Sequence, residues 1–321
     1  PAVLGRICPA PCEKVCRRRQ HDEAVSICLL KRHVADADLQ SDRPYSPAPA
    51  PKRGKRVAIV GAGPAGLAAA YYLQLEGFDC TIFDEHEEPG GMLRYAVTEK
   101  SLPRDVLSRE IAQITRLGVT FKLRTCVGVA ILLEEIRGRF DAVFLATGEL
   151  KAGDADALGI DASSDGVRID PRTGTTSIPG VFAGGDVVRK RRLAVRAVAD
   201  GKEAAESIRQ YLAGEPVIGP AKLFNSRMGK LEDREKELFL RGASPQPRTR
   251  LLHPVEGFTG DEARTESHRC LHCDCRKADS CLLRLHAQAY DAKQARYKAE
   301  RGPFVQNTQH PDVIYEPGKC I

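Results

Sequence analysis

Nine of the eleven cysteines in this 321-residue chain crowd toward its two ends. Cys8, Cys12 and Cys16 follow a C-x3-C-x3-C spacing, and Cys270, Cys273, Cys275 and Cys281 follow C-x2-C-x-C-x5-C. An odd cysteine count without a secretory leader pattern argues against a disulfide framework, and clustered thiols then point to metal. Thiolates are soft ligands that suit zinc or iron–sulfur clusters. Four thiols within twelve residues make the second motif the stronger one. Cys28, on an apolar stretch of helical period, reads either as a further ligand or as a small buried hydrophobe. Cys320, after Pro317-Gly318-Lys319, reads as the start of a third motif. Cys80 and Cys126, on or near strands, read as core residues.

A second constellation is built from glycine. Gly61-Ala62-Gly63-Pro64-Ala65-Gly66 is a G-x-G-x-x-G turn between the apolar run 56–60 and a helical stretch, Leu67 to Leu75. The first glycine permits the tight turn. The second lets backbone approach a pyrophosphate, and the third lets helix pack on strand. Asp84 closes the next strand 23 residues after Gly61, the place of a ribose-binding acid. Residues Gly61, Gly63, Pro64, Ala65, Gly66 and Asp84 are therefore expected to bind a dinucleotide.

These motifs need a scaffold. Strands are expected at 56–60, 79–83, 139–146 and 181–183, and helices at 105–117 and 193–212, with 149–170 as loop or short ribbon. The order is that of βαβ units with a parallel sheet, an α/β fold. Four prolines between residues 43 and 51 mark a stiff extended linker. The expected organisation is a helical cysteine segment at 1–42, the linker at 43–55, a Rossmann-type nucleotide domain with a three-layer βαβ core at 56–214, and a helical cysteine-bearing segment at 215–321.

With the motifs in place, residues 5–188 resemble the small (beta) subunit family of glutamate synthase, which includes dihydropyrimidine dehydrogenase. The matching stretches are 5–16, 25–38, 61–66, 90–97, 102–107, 140–148 and 175–188. The resemblance implies FAD at the glycine turn. It implies that Gly91, Met92 and Arg94 lie along the flavin, that Thr147 and Gly148 border it, and that Gly185 and Asp186 meet the ribityl chain. It also implies 4Fe–4S clusters at the first cysteine motif. At the second, a flavin nearby favours an iron–sulfur cluster, with zinc as the alternative because four-cysteine sites also hold zinc, so one or two clusters are expected in this chain. Members of that family carry an NAD(P)H domain between the halves of the flavin domain. Here only 26 residues separate Gly148 from Thr175 and no second glycine fingerprint occurs, so that domain is expected to be missing near 149–170.

Composition narrows the function further. Lys and Arg number 49 against 43 Asp and Glu, a net charge of +6, and tryptophan is absent. Sparse aromatics and weak basicity argue against nucleic acid. No 18-residue apolar stretch exists to span a membrane. Pro1 and the abrupt end after Cys320 read as cuts in a longer chain or complex. The expected function is an FAD and iron–sulfur electron-transfer oxidoreductase subunit of the cytoplasm, working with ferredoxin or another redox subunit and needing no catalytic acid or base. The alternatives are a glutamate synthase-type NAD(P)H-linked oxidoreductase, a flavin enzyme acting on a small molecule, or a scaffold with structural metal. The runs Arg17–Arg19 and Arg189–Arg192 read as solvated faces or as a docking patch for an acidic carrier.

Overall fold

A computed structural model describes residues 1–221, 231–252, 255–273 and 281–292, together with the strand pair β8 (Asn307–His310) and β9 (Val313–Tyr315). The described chain forms two compact units, each discontinuous in sequence. One comprises residues 1–9 and 31–221, the other 10–30 and 222–321.

The first unit is built on five parallel strands. They are β1 (Arg56–Val60), β2 (Asp79–Phe83), β3 (Thr120–Lys122), β4 (Ala142–Leu145) and β7 (Val181–Ala183), in the spatial order β3-β2-β1-β4-β7. The continuous apolar runs follow from burial on both faces. Val57 and Ile59 join Ile82 and Phe144 in one core layer. Ala58 and Val60, one residue out of phase, join Val143 and Leu145 in the other. Helices α4 (Pro64–Leu75), α6 (Arg104–Arg116) and α9 (Ala194–Leu212) contribute to the first layer. Helices α7 (Leu133–Arg137) and α8 (Asp154–Leu158) close the second. This is the expected Rossmann-type α/β fold with helices on both faces.

Three features lay beyond the sequence reading. The third strand, β3, is only three residues long and half-exposed, so it carries no apolar signature. Helix α5 (Met92–Tyr95) is a single turn. The stretch between β4 and β7 holds the short ribbon expected there, β5 (Ala162–Ser163) with β6 (Gly166–Val167), and, as the unread feature, helix α8. The proline-rich segment is anchored at its end. Ala50 N–H donates to Leu75 O and Arg53 N–H to Gly77 O, which seats it on the C-terminus of α4. Helix α1 (Ala2–Ile7) belongs to this unit too, its first amides capped by the Glu110 carboxylate at 2.8 and 3.0 Å.

The second unit contains α2 (Pro11–Lys14), a 3₁₀ turn at Arg17–Gln20, α10 (Asp233–Leu240), α11 (Gly260–Ser267) and α12 (Leu282–Ala289). Helix α3 (Ile27–Gln40) starts in its residue range. This grouping differs from a contiguous division at residues 42 and 215. Its physical reason is a buried ionic network. The Arg18 guanidinium grips Asp22 with two bonds of 2.6 Å and donates to Arg269 O at 3.0 Å. Arg269 donates to Asp22, Glu266, Glu23 O and Gln246 O at 2.9–3.1 Å. Glu266 in turn accepts Ser26 N–H and Thr249 N–H, both at 2.7 Å. Arg18, Glu266 and Arg269 are 1% exposed or less. Buried charges require such pairing, because an unpaired one costs several kcal/mol. Within the Arg17–Arg19 run only Arg19 is exposed, whereas Arg18 is the buried centre of this network. No described helix is long and apolar enough to cross a membrane.

Candidate functional site: the glycine turn and the thiol segments

The carboxyl ends of β1, β4 and β7 gather the predicted nucleotide residues in the first unit. Gly61 leaves β1 at φ 109°, and its amide donates to Phe83 O at 2.7 Å. A Cβ there would meet Ala146 O at 2.3 Å, and one on Gly66 would meet Gly61 O at 2.0 Å. These two glycines are required by packing alone. Gly63 is different: it has an ordinary φ of −75° and open space where a Cβ would stand. It caps α4, with Pro64 in the first turn and Ala65 and Gly66 buried behind it. Open backbone at a helix N-terminus is the surface an anionic pyrophosphate uses.

Asp84 is 8% exposed and already engaged. Its Oδ2 accepts Ala62 N–H at 2.6 Å, while Oδ1 accepts His86 N–H and meets His86 Nδ1, both at 2.9 Å. The carboxylate ties the glycine turn to the loop after β2. Gly90 and Gly91 complete the cradle. Gly90 N–H donates to Ala62 O, and a Cβ on Gly91 would lie 2.8 Å from the Gly63 Cα. Met92 is exposed beside them. Arg94 turns inward, donating to Pro89 O at 2.8 Å and to Ser108 Oγ at 3.0 Å, so it braces the turn. Neighbouring Tyr95 stacks on His86 at 4.4 Å between ring centres.

The second glycine motif closes on the first. Gly185, at φ 82°, would place a Cβ 3.0 Å from Ala65 Cβ, and its amide donates to Asp200 on α9 at 3.1 Å. Asp186 accepts the amides of Arg191 and Arg192 at 3.1–3.2 Å. Arg192 pairs with Glu149 in two bonds of 2.5 and 3.1 Å, and this guanidinium holds the Glu149 carboxyl below its usual range. Thr147 is exposed at the end of β4, and Gly148 adopts φ 82° with open space around it. Glycine turn, Gly90–Gly91, Thr147–Gly148 and Gly185–Asp186 thus occupy one end of one sheet. The residues fit a dinucleotide: two glycines are demanded by close packing, and the third is open. Sequence reasoning missed Asp200, whose only signal was its place in the second turn of the helix after the second motif.

The cysteines divide between the units. Cys8 caps the C-terminus of α1 in the first unit. Cys12, Cys16, Cys28, Cys270, Cys273 and Cys281 belong to the second. Cys12 is exposed and the others half-buried, and the described cysteines form no disulfide. Cys28 donates its amide to Glu13 Oε1 at 2.9 Å. Cys275 and Cys320 lie outside the described residues. Among the described residues no three His, Cys, Asp or Glu side chains stand together closely enough to hold a metal ion. Cys80 is buried, and burial pushes its thiol pKa up, which agrees with a core role. Cys126 is half-buried, and desolvation with the nearby Glu85 raises its pKa as well.

Comparison with known proteins places this geometry. A family profile described as an NAD(P)-binding Rossmann-like domain matches residues 59–110. The chain is 38% identical over 214 residues to the NADPH-Fe(3+) oxidoreductase subunit beta of Geobacter sulfurreducens, covering 66% of this chain and 31% of that protein. It is 44% identical over 167 residues to the NADP(+)-dependent formate dehydrogenase subunit beta of Moorella thermoacetica, covering 46% and 24%. It is 39% identical over 154 residues to the glutamate synthase [NADPH] small chain of Bacillus subtilis, covering 48% and 31%. The chain spans a quarter to a third of the length of these relatives. The fold is that of a Rossmann-type α/β domain, with the NAD(P)-binding Rossmann-like profile lying over the end of β1, α4 and β2. Over the stretch it shares with these relatives, the chain is similar to the glutamate synthase small chain and to the beta subunits of the other two oxidoreductases.

Proposed function

We propose that this chain is the FAD-binding and thiol-bearing part of an electron-transfer oxidoreductase, passing electrons between a flavin and iron–sulfur centres toward a protein partner such as ferredoxin. The observation that supports it most is the meeting of two glycine motifs 120 residues apart in sequence, Ala65 of the first against Gly185 of the second. A plain nucleotide domain needs only the first. FAD, when bound, supplies the exchange between two-electron and one-electron chemistry.

The chain's own residues then bind and orient. Gly63 and the α4 N-terminus receive pyrophosphate. Asp84 holds the turn in shape from below and faces the ribose side. Gly185 and Asp186, fixed by Asp200 and by the Arg191 and Arg192 amides, border the ribityl chain. Met92 and Gly91 line the edge of the cradle. No acid or base is assigned, because electron exchange requires none. The thiols of both cysteine motifs provide soft ligands for clusters, with zinc as the alternative at the second motif. Reduced, clustered thiols agree with a cytoplasmic setting.

NADPH in the names of the relatives supports a second reading, in which NAD(P)H reduces the protein directly. Among the described residues one five-stranded nucleotide fold is present, and residues 146–180 hold a short helix and a two-stranded ribbon. An anaerobic absorption titration separates the two readings. Bleaching of the flavin band by reduced ferredoxin or dithionite, with NADPH and NADH inert, is the expected result. Rapid bleaching by either pyridine nucleotide establishes the second reading instead.

A further inference from the structure

Between the second glycine motif and the first turn of α9 the chain carries Arg189, Lys190, Arg191, Arg192 and Arg196, with no acidic residue from 187 to 199. All five residues are exposed, and Leu193 among them is 39% exposed. The structure gives these cations two different duties. Arg191 and Arg192 are anchors. Asp186 accepts both of their amides at 3.1–3.2 Å. The Arg191 guanidinium lies 3.4 Å from Asp200, and the Arg192 guanidinium pairs with Glu149. Arg192 sits at φ 51°, a left-handed conformation that a residue with a Cβ keeps only where its surroundings hold it. Asp200 also accepts the Gly185 amide at 3.1 Å, so the carboxylates that fix the second motif fix the charged loop as well.

Arg189, Lys190 and Arg196 are the remainder. None of the three forms an ion pair among the described residues. The neighbouring acids are all engaged: Glu149 with Arg192, Asp200 with Arg191 and the Gly185 amide, Asp186 with the two loop amides. Lys190, after Arg192, helps to hold the Glu149 carboxyl below its usual range, so the charges of the loop act on one place. Positive charge therefore exceeds negative on a loop that is held still, with an apolar side chain in its midst. A fixed surface of this kind loses little freedom when a partner binds, and its field steers a negatively charged one. Its place supplies the kind of partner. The loop starts at Asp186, at the edge of the proposed flavin cradle, where a carrier of single electrons must come close.

We propose that Arg189, Lys190 and Arg196, with Leu193 between them in sequence, form the docking surface for a small acidic one-electron carrier protein. The proposal rests on the electron-transfer reading and narrows it to one face of the first unit. Arg191 and Arg192 are positioning residues that hold the loop in place. The surface binds and orients only. Each reduced carrier gives up one electron per encounter and leaves oxidised, so two encounters supply the pair that FAD takes up, with a proton drawn from solvent. Complementary charge of this sort acts mainly on encounter and on choice of partner, and salt weakens it.

The test titrates the full FAD-loaded chain with an oxidised acidic ferredoxin by calorimetry, at about 0.02 M and about 0.5 M salt. Arg189→Glu/Lys190→Glu is expected to raise Kd about tenfold or more at the low salt, and the gap from wild type should close to about twofold at the high salt. Arg116→Glu/Lys122→Glu makes the same change in net charge on exposed residues at the β3 edge of the sheet, the edge opposite β7, and should leave Kd within about twofold of wild type. Reduction of the flavin by sub-saturating reduced ferredoxin should slow by the same factor as Kd rises, while reduction by photoreduced 5-deazariboflavin, which is uncharged, stays unchanged. Equal Kd values for wild type and Arg189→Glu/Lys190→Glu overturn the surface and leave the electron-transfer reading standing. Equal weakening by the control pair does the same, because net charge then suffices. Wild type that binds no ferredoxin at either salt overturns the surface and the ferredoxin part of the reading together. Loss of affinity for NADP+ or for phosphatidylserine vesicles, with ferredoxin affinity intact, assigns the cations to those ligands and overturns the proposal. Should the double variant fold poorly by circular dichroism, Arg196→Glu alone decides. A rise in Kd of about threefold or more is expected, and an unchanged Kd refutes the surface.

Discussion

Gly201, in the middle of α9, lies so close to Ala65 that a Cβ on it would stand 2.1 Å from the Ala65 carbonyl oxygen. Helix α4 carries the first glycine motif and α9 follows the second, so this close approach helps to set how near the two glycine motifs lie. Gly185 against Ala65 Cβ repeats the closeness one step along. The geometry explains a glycine in a helix interior, where it is otherwise unfavourable by about 1 kcal/mol relative to alanine.

Replacement of that residue reverses the usual sign. At an open helix position Gly→Ala stabilises, but Gly201→Ala must push α9 from α4 and is expected to cost about 1–3 kcal/mol. Thermal unfolding of the variant should show a lower Tm together with weaker FAD retention. An increase in Tm would contradict the packing described.

Gly63→Ala separates binding from folding. A Cβ there meets no protein atom, and φ is −75°. Stability without cofactor should stay within about 0.5 kcal/mol of wild type. On the proposed function the added methyl group occupies the approach of the FAD pyrophosphate, so the FAD content of purified protein should fall steeply. Unchanged FAD content would move the phosphate site elsewhere.

Asp84→Ala removes the acceptor of two backbone amides and the His86 ring contact. Hydrogen bonds to a charged group are worth about 1.5–3 kcal/mol each, so a loss of at least about 2 kcal/mol is expected in chemical unfolding even without FAD. A cost seen only in the presence of FAD would make the carboxylate a ligand with no structural duty.

The ionic network makes the second unit sensitive to acid. The Arg18 guanidinium beside Asp22 holds its carboxyl below the usual carboxylate range. The folded value therefore lies below the unfolded one of about 3.9. The stabilisation is complete above that pH and is lost as pH falls through the folded value. Unfolding of the unit, followed by a probe on α11, should steepen below about pH 4, and Asp22→Asn should flatten that dependence. Arg269→Met, which leaves Glu266 buried without its ion-pair partner, should cost about 3–5 kcal/mol.

Cys80 should resist alkylation in the native protein at pH 8, because burial raises its thiol pKa and shields it. Exposed Cys12 should react first. Mass-resolved labelling over time gives the order, and early modification of Cys80 would show that β2 opens readily.

The first unit was largely legible in the sequence because its signals are local. An apolar run buried on both faces marks β1, β2, β4 and β7. The glycines of 61–66 mark a turn that few other residues could make, and a run of helical period marks α4, α6 and α9. The matching relatives agree with that reading. Short elements escaped for the same reason: β3 is three residues long and half-exposed, and α5 is one turn, too brief for periodicity to register. Side-chain destinations escaped as well. Spacing marks Asp84 and resemblance marks Arg94 as ligand-facing residues, and neither shows that Asp84 also ties the glycine turn to the next loop or that Arg94 braces Gly90–Gly91 from inside. What only the tertiary structure decided is the pairing of residues 10–30 with the C-terminal hundred. Spacing within a motif is set by a few covalent bonds and can be read along the chain. The bond from Arg18 to Arg269 spans 251 positions, and its partners were fixed by the need to neutralise charge once both segments were buried together.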